Sequence, residues 1–471
     1  MHSRLISTAI AVPVLLGAWT TAFGFVFSVT YPAEAFSGPF SGRVVVYLSK
    51  STRAEPRFGP NWFSPQPAYS AAFKDVKPGA QMVIRSQTAT GFPGKLDDLE
   101  PGEYTVQAVI DRNLGGRTIG RSPGNLYSKP VRLELDPATD VVIEIVCDQV
   151  VEAPKFRETR VVKEVRLPSR LLSEFYKRPT TINAAVVLPD EWFAEPERKF
   201  PLLYSVPSFG GTHMSWSGRT NNSTTQRDGV PFIFVALDPS CPAGHSVFAD
   251  SANNGPWGKA LTEELIPHIE KEFRGYGEPG ARYVTGHSSG GWSSLWLQVA
   301  YPDVFGGCWA TSPDPVDFRD FQRINIYSPG VNMFLDEEGD PRPLARQGTR
   351  VLIYYRRFSD MERPIRGEQL GSFEAAFSPR GPDGEPLKLW NRDTGTIDPK
   401  VAAAWKKYDI GLILRTRADT LKPKLAGKIY VYMGTRTRSI WRARFAFCGL
   451  TWRRSATTRS PRFTPVTTAP L

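Results

Sequence analysis

Cysteine is scarce in this chain, with only four among 471 residues. Cys147, Cys241, Cys308 and Cys448 lie far apart, and no spacing between them matches a metal-binding motif. This number excludes a disulfide framework, although one bridge would be compatible with it. We therefore expect no metal ion and no other cofactor.

Histidine is nearly as rare, and its distribution is uneven. The five histidines all lie before residue 288, at His2, His213, His245, His268 and His287. As the sequence stands, the C-terminal part of the chain supplies no imidazole. This limits the catalytic bases that an active site built there can use.

Acidic residues and lysine are absent from residues 435–471, which contain eight arginines. These arginines supply most of the net charge of +11, and the remainder of the chain carries about +3. No basic stripe is left for nucleic acid, so we expect no nucleic-acid partner. A composition of 41% hydrophobic and 22% charged residues is typical of a globular protein and excludes wholesale disorder.

Long apolar runs are missing except at the N-terminus. An apolar stretch over residues 5–19 follows a weakly basic start and precedes small residues at Ala22 and Gly24. This order predicts a signal peptide at residues 1–24 and a secreted or periplasmic protein with no stable membrane insertion after cleavage. The run is shorter than the ~20 residues of a spanning helix. An N-terminal anchor or a buried strand is the alternative.

Residues 25–152 have a β pattern throughout, with short β-branched runs separated by Pro/Gly turns. Six or seven short strands without a helix predict an all-β, immunoglobulin-like sandwich. Residues 153–164 are polar, lack periodicity and read as a linker. The predicted strands are residues 25–31, 42–48, 81–84, 104–110, 131–135 and 141–146.

Strands alternate with helices over residues 165–434, which predicts an α/β fold with a doubly wound, mostly parallel sheet. An amphipathic helix is expected at residues 260–273. Residues 312–400 are rich in Pro and Gly and too long for a simple connection, so we predict a cap insertion there, with a surface excursion as the alternative. The predicted strands are residues 182–188, 201–206, 231–237, 283–285, 306–310, 410–414 and 428–433.

One motif organises this second part. Residues 286–290 read Gly-His-Ser-Ser-Gly between a predicted strand and a predicted helix, which is the pattern of a nucleophile elbow. Ser288 is then the nucleophile, and the backbone amides of Ser289 and of Phe209 or Gly210 are the expected oxyanion donors. A glycine-rich turn with an incidental serine is the alternative.

Together with that motif, several stretches resemble the putative esterase family of α/β-hydrolases, the group that includes esterase D and feruloyl esterases. The resemblance implies an α/β-hydrolase that cleaves a small-molecule or carbohydrate-linked ester through an acyl-enzyme on Ser288, without a metal. One departure is that Pro207 and Ser208 stand where the family has His-Gly. The matching stretches are residues 200–204, 209–211, 250–257, 263–270, 286–291 and 301–305.

The family order is serine, acid, then histidine, but no histidine follows Ser288. His213 and His245 are the candidates for a substitute base, although each is more simply a substrate-side or structural residue. Asp314 and Asp317 are the candidates for the acid. Asp360 is a further one.

Residues 435–471 are predicted to be an aberrant, out-of-frame tail. A coding stretch for Gly-Asp-Glu-Asp-Thr reads Gly-Thr-Arg-Thr-Arg after loss of one nucleotide, and residues 434–438 have that sequence. A functional basic tail is the rival interpretation. We therefore expect a catalytically impaired ester hydrolase, or else a non-catalytic secreted binding or scaffold protein that retains the hydrolase cleft.

Overall fold

The computed structural model of the protein describes residues 25–59 and 61–433. The predicted signal peptide at residues 1–24 and the predicted aberrant tail at residues 435–471 lie outside the described residues. No described helix has the length and apolar character needed to cross a membrane.

Residues 25–152, which we name the β domain, form two sheets. One has the order β4-β1-β9, and the other runs β10-β7-β6-β2-β3-β5 with β8 paired to β6. All six predicted strands are present. The strands are β1 (Val26–Thr30), β2 (Phe40–Ser49), β3 (Ala68–Val76), β4 (Met82–Arg85), β5 (Thr90–Phe92), β6 (Gly102–Asp111), β7 (Leu126–Tyr127), β8 (Val131–Leu135), β9 (Val142–Val146) and β10 (Gln149–Val150).

The two sheets of the β domain share one hydrophobic core. Phe27 of the small sheet is fully buried with Val46 and Ile110 of the large sheet. Inward-facing apolar residues on two facing sheets are the basis of a sandwich, because each sheet covers the other's apolar face. Whether the sandwich is of immunoglobulin type stays a prediction.

Residues 162–433, which we name the α/β domain, contain a central sheet and several two-stranded hairpins. Its first strand begins at Val162, so the sheet starts inside the predicted linker. The strands are β11 (Val162–Pro168), β12 (Thr181–Val187), β13 (Leu202–Val206), β14 (Gln226–Arg227), β15 (Val230–Pro231), β16 (Ile233–Leu237), β17 (Ser240–Cys241), β18 (Gly244–His245), β19 (Asp250–Ser251), β20 (Gly255–Pro256), β21 (Arg282–His287), β22 (Gly307–Thr311), β23 (Pro343–Gln347), β24 (Arg350–Tyr354) and β25 (Ile429–Tyr432).

The central sheet has the order β11-β12-β16-β13-β21-β22-β25. The five strands β16, β13, β21, β22 and β25 run parallel to one another, whereas β11 and β12 at one edge pair antiparallel. The predicted mostly parallel sheet is therefore confirmed. Because the carboxyl ends of parallel strands meet at one edge, the loops after β13, β21 and β22 converge there.

The helices flank this sheet and fill the long connection before β25. A π-helical segment, Ala260–Leu265, joins α3 to α4, so the predicted helix over residues 260–273 is present with a bulge. The helices are α1 (Arg170–Tyr176), α2 (Asp190–Ala194), α3 (Trp257–Lys259), α4 (Ile266–Glu272), α5 (Ser289–Ala300), α6 (Tyr355–Glu362), α7 (Gln369–Phe377), α8 (Pro399–Trp405), α9 (Ile410–Thr416) and α10 (Ala418–Leu425).

Residues 312–428 leave the central sheet after β22 and return at β25. We name this segment the cap. It is longer than residues 312–400, and its assignment as a cap insertion over the site, as opposed to a surface excursion, stays a prediction. The predicted strand at residues 410–414 is wrong, because these residues form α9. The side chain of Asp409 accepts a 2.8 Å hydrogen bond from the Leu412 amide and caps that helix.

The two domains are joined by an ion pair. Arg366 of the cap donates two hydrogen bonds, of 2.5 and 2.7 Å, to the carboxylate of Asp111 at the end of β6. Asp111 is buried, and Arg366 also donates to the carbonyl of Gly116 at 3.0 Å. A two-point contact of this kind fixes the orientation of one domain on the other.

Candidate active site

Ser288 lies in the sharp turn between β21 and α5. Its backbone has φ 56° and ψ −122°, a conformation that L-residues rarely adopt. A Cβ on Gly286 would lie 2.1 Å from the Gly290 carbonyl oxygen, and a Cβ on Gly290 would lie 2.1 Å from the Val206 carbonyl oxygen. The close approach of strand, turn and helix therefore requires both glycines.

Residues 207–211, which we name the oxyanion loop, lie beside this turn. The Ser208 hydroxyl donates a 3.1 Å hydrogen bond to the carbonyl of His287, and the Gly211 amide donates a 2.9 Å bond to the Ser208 carbonyl. Within residues 25–59 and 61–433, the amides of Phe209, Gly210 and Ser289 have no hydrogen-bond acceptor. These three are the amides that the sequence predicted as oxyanion donors.

The hydroxyl of Ser288 donates to a carboxylate. It lies 3.3 Å from Oδ1 of Asp314, and the Ser289 hydroxyl donates a 2.6 Å bond to Oδ2. Gln369, at the start of α7, donates in turn to the Ser289 hydroxyl at 3.3 Å. Burial raises the pKa of Asp314 to about 7, although the hydrogen bonds from Ser289, Ser288 and Gln369 lower it.

His245, one candidate base, is buried next to the oxyanion loop. Its Nδ1 accepts a 3.0 Å hydrogen bond from the Val247 amide, and its Nε2 lies 3.5 Å from the carbonyl oxygen of Pro207. Burial lowers its pKa to about 4, so the ring is neutral at neutral pH. Both nitrogens face backbone groups, and the structure does not bring this imidazole to the Ser288 hydroxyl.

His213, the other candidate base, lies between two carboxylates. Its Nδ1 is 2.8 Å from Asp238 and its Nε2 is 3.2 Å from Glu164, while its ring stacks on Phe156. Burial lowers the pKa of His213, but hydrogen bonds to Asp238 and Glu164 outweigh this effect and raise it. With both nitrogens occupied, this ring is not available to Ser288 either.

The other two acid candidates are engaged elsewhere. Asp317 accepts hydrogen bonds of 2.8 Å from both Arg319 and Arg415. Its pKa is lowered because these arginine hydrogen bonds outweigh the opposing effect of burial. Asp360, on α6, faces Arg356 of the same helix and Arg363, which directly follows it. Of the carboxylates predicted from the sequence, the structure places only Asp314 against Ser288 among the described residues.

The oxyanion loop also lines a cleft between the two domains, with a volume of about 780 Å³. Phe209 and Gly210 form part of its wall, and Trp62 and Arg117 of the β domain face them. The sequence pointed to neither Trp62, Arg117 nor Gln369. These residues lie far from Ser288 in the chain, and no local motif marks them. Among the described residues, no group of three or more His, Cys, Asp or Glu side chains is placed to hold a metal ion.

Comparison with known proteins extends this picture. Among solved structures, an S-formylglutathione hydrolase from Agrobacterium tumefaciens is 14% identical, with a TM-score of 0.32, and the match covers 60% of this chain and 92% of that one. A CE1 ferulic acid esterase from Anaeromyces mucronatus is 14% identical, with a TM-score of 0.27 and coverages of 60% and 88%. A ferulic acid esterase is 23% identical, with a TM-score of 0.28; the match covers 34% of this chain and 60% of that chain's length, which is less than two thirds.

No curated protein sequence matches the chain. The family described as Putative esterase, in contrast, matches residues 177–444, more than half of the sequence. This span contains the strand–elbow–helix unit around Ser288 and the oxyanion loop. The chain belongs to the putative esterase family of hydrolytic enzymes in the α/β-hydrolase superfamily.

Proposed function

We propose that this protein is a serine carboxylic-ester hydrolase that acts through an acyl-enzyme on Ser288 and is catalytically impaired. One observation carries the proposal: Ser288 occupies a positive-φ turn at the start of α5, beside three amides that have no acceptor among the described residues. A nucleophile and preorganised donors in this arrangement suit a developing oxyanion.

In the proposed reaction, the Ser288 Oγ attacks the ester carbonyl carbon and the π electrons move to the carbonyl oxygen. The amides of Ser289 and of Phe209 or Gly210 stabilise that oxyanion. The proton of the Ser288 hydroxyl passes to the ionised carboxylate of Asp314. Collapse of the tetrahedral intermediate breaks the bond to the alcohol oxygen, which takes up that proton and leaves as the alcohol, and the acyl-enzyme remains. Water then attacks the acyl carbon, the bond to Ser288 Oγ breaks, and a proton from the water returns to that oxygen as the acid is released.

The impairment follows from the proton acceptor. An efficient serine esterase passes the hydroxyl proton to an imidazole that is held by a carboxylate. Among the described residues, the side-chain partner of the Ser288 hydroxyl is Asp314, and neither His213 nor His245 contacts it. Because burial raises the pKa of Asp314 to about 7, the carboxyl is protonated in a large share of the molecules at neutral pH, and those molecules have no ionised base beside Ser288.

The proposed substrate is a small-molecule or carbohydrate-linked ester that extends from Ser288 into the cleft between the domains. Phe209 and Gly210 line this cleft, whereas Ser288 itself is not among its lining residues. Phe58, Trp62, Tyr176 and Phe209 give this cleft aromatic walls. Aromatic side chains suit both aryl groups and the apolar faces of sugar rings. One of the similar solved structures has ferulic acid bound, which is an aryl compound of this kind.

A non-catalytic binding or scaffold protein that retains the cleft is the second candidate. It is favoured by the absence of an imidazole at Ser288 among the described residues. For either function we propose a secreted or periplasmic protein whose β domain is an immunoglobulin-like sandwich. The facing sheets with one shared core support that domain assignment.

Covalent labelling tests the catalytic proposal. A fluorophosphonate probe should modify Ser288 in the full chain, slowly, and Ser288→Ala should abolish the signal. Peptide mass spectrometry would locate the adduct. Complete absence of labelling at millimolar probe over many hours would contradict the catalytic proposal and favour the binding protein.

A further inference from the structure

We propose that Arg117 of the β domain is a positioning residue for the oxyanion hole. It contacts the oxyanion loop directly and also contacts the cap segment next to Gln369, which binds Ser289. The inference rests on the proposed function, because it assigns a role in the same site. It gives the β domain a part in the active site.

The first set of contacts is to the oxyanion loop. The guanidinium carbon of Arg117 lies 4.6 Å from the centre of the Phe209 ring. Arg117 also lies beside Gly210, where a Cβ would be 3.4 Å from Arg117 Nη2. Trp62 adds a stacking contact to Phe209, with ring centres 5.7 Å apart and planes 28° apart. Two β-domain side chains therefore hold Phe209.

The second set of contacts is to the cap. Arg117 Nη1 donates a 3.2 Å hydrogen bond to the carbonyl of Gly367 and lies 3.6 Å from the carboxylate of Glu368. Trp62 donates its indole N–H to the same carboxylate at 3.2 Å. The next residue, Gln369, donates to the Ser289 hydroxyl. Arg117 thus connects two parts of the site. One is the oxyanion loop, which carries the amides of Phe209 and Gly210, and the other is the segment at residues 367–369, which contacts Ser289 through Gln369.

The chemistry of the side chain suits this position. A guanidinium has a flat face that stacks on an aromatic ring while its edge donates several hydrogen bonds. Arg117 is largely buried, with 17% of its side chain exposed, so these contacts are little screened by solvent. Its positive charge also contributes, after burial, to the low pKa of His245 beside the loop.

Other contacts hold the domains together without touching the oxyanion loop. Arg366 pairs with Asp111, and Arg178 of the α/β domain donates a 2.9 Å hydrogen bond to the carbonyl of Asn113 in the β domain. Loss of Arg117 is therefore expected to loosen the loop while the domains stay docked. Arg178→Ala is a matched control for loop position, because it removes an arginine from the same interface and the same cleft without removing a contact to the loop.

Two measurements on the full chain test the proposal with Arg117→Ala, Arg117→Lys and Arg178→Ala. The first is hydrogen–deuterium exchange of peptides that cover residues 203–215. The second is the rate of fluorophosphonate labelling at Ser288, resolved into its maximal rate and its half-saturating concentration. Circular dichroism establishes that each variant is folded, and Arg117→Lys provides a milder change if Arg117→Ala is not.

Arg117→Ala should raise exchange in the loop and lower the maximal labelling rate about tenfold, because a displaced oxyanion donor acts on the transition state. The half-saturating concentration should change less than about twofold. In both measurements Arg117→Lys should give values between those of the wild type and Arg117→Ala, because lysine keeps the positive charge but lacks the flat guanidinium face. Arg178→Ala should resemble the wild type in exchange of the loop and in maximal labelling rate. Because Arg178 also lines the cleft, any effect on labelling should fall on the half-saturating concentration.

Unchanged exchange in Arg117→Ala would overturn the proposal, and so would an equal effect of Arg178→Ala, which would indicate general loosening of the interface. If the wild type is not labelled at all, the proposed function fails. The exchange comparison then decides the positioning role by itself.

Discussion

The Ser288 hydroxyl and the Asp314 carboxylate lie 3.3 Å apart, with no imidazole between them. The carboxylate is buried, and its other oxygen, Oδ2, accepts a hydrogen bond from the Ser289 hydroxyl. Burial in this place penalises its charged form and raises its pKa to about 7. This group therefore affects both the reactivity of Ser288 and the pH dependence of stability.

The pKa of Asp314 predicts that stability falls as the pH rises. Between about pH 4 and pH 7 the folded chain keeps this proton and the unfolded chain has lost it, so rising pH favours unfolding. One such group contributes a slope of up to about 1.4 kcal/mol per pH unit to the free energy of unfolding. Asp314→Asn should remove that contribution, as measured by urea unfolding from pH 4 to pH 8.

The control for this measurement is Asp419→Asn, at an exposed position of α10. It should leave the slope between pH 4 and pH 7 unchanged. An Asp314→Asn variant with the same slope as the wild type would show that the carboxyl is not protonated in the folded protein.

Turnover of p-nitrophenyl acetate should be little affected by Ser288→Ala. The catalytic rate of a serine esterase falls by several orders of magnitude when its imidazole is lost. The remaining rate acceleration of about 10³–10⁴ over the reaction in water comes from the oxyanion hole and from substrate binding. Initial rates at pH 7 and pH 8 measure this. A large drop in Ser288→Ala would instead show that Ser288 has an effective base in solution, which is either Asp314 or one of His213 and His245.

Gly290→Ala should destabilise the protein by at least about 2 kcal/mol, because the new Cβ overlaps backbone that cannot move aside. That Cβ would lie 2.1 Å from the Val206 carbonyl oxygen. Gly280→Ala is the matched control, since a Cβ there meets nothing within 4 Å, and its effect should stay within about 0.5 kcal/mol. Urea unfolding of both variants measures the difference, and equal stabilities would refute the tight-turn explanation.

The β domain should fold when residues 25–152 are expressed alone, because its core comes from its own strands. Val45, Tyr47 and Val109 form a second cluster against Ile365 of the cap, so the isolated domain should be less stable than in the full chain. Far-ultraviolet circular dichroism and thermal unfolding measure both properties. A random-coil spectrum would contradict the domain boundary.

Sequencing of the gene beyond the Gly434 codon should reveal a shifted frame that encodes an acidic loop, a helix and a later histidine. The expectation comes from the arginine-rich, acid-free composition of residues 435–471. If neither alternative frame contains such a segment, the tail is a basic extension in its own right.

Local patterns in the sequence predicted most of the sheet structure. Alternating and β-branched runs predicted β1, β6 and β16, and the glycines around Ser288 predicted the elbow, because those signals lie within a few neighbouring residues. Residues 410–414 were misread as a strand because a short apolar run fits either a strand or a helix. The N-cap Asp409 was the overlooked signal.

The contacts of the site were harder to predict than its nucleophile. Asp314 was one of three candidates for the acid, and nothing in the sequence separated it from Asp317 and Asp360. Its direct contact with Ser288 depends on how the loop after β22 folds back. Trp62 and Arg117 reach Phe209 across a domain boundary. Such long-range packing leaves no periodicity or motif in a single sequence.

The ion pair between Arg366 and Asp111 has a consequence for the evolution of the two domains. A guanidinium that is largely buried loses its compensation when its carboxylate is removed, and such losses are costly. We therefore expect the β domain and the α/β domain to be inherited together. In a relative that lacks the β domain, we expect an uncharged or solvent-facing residue at the position of Arg366.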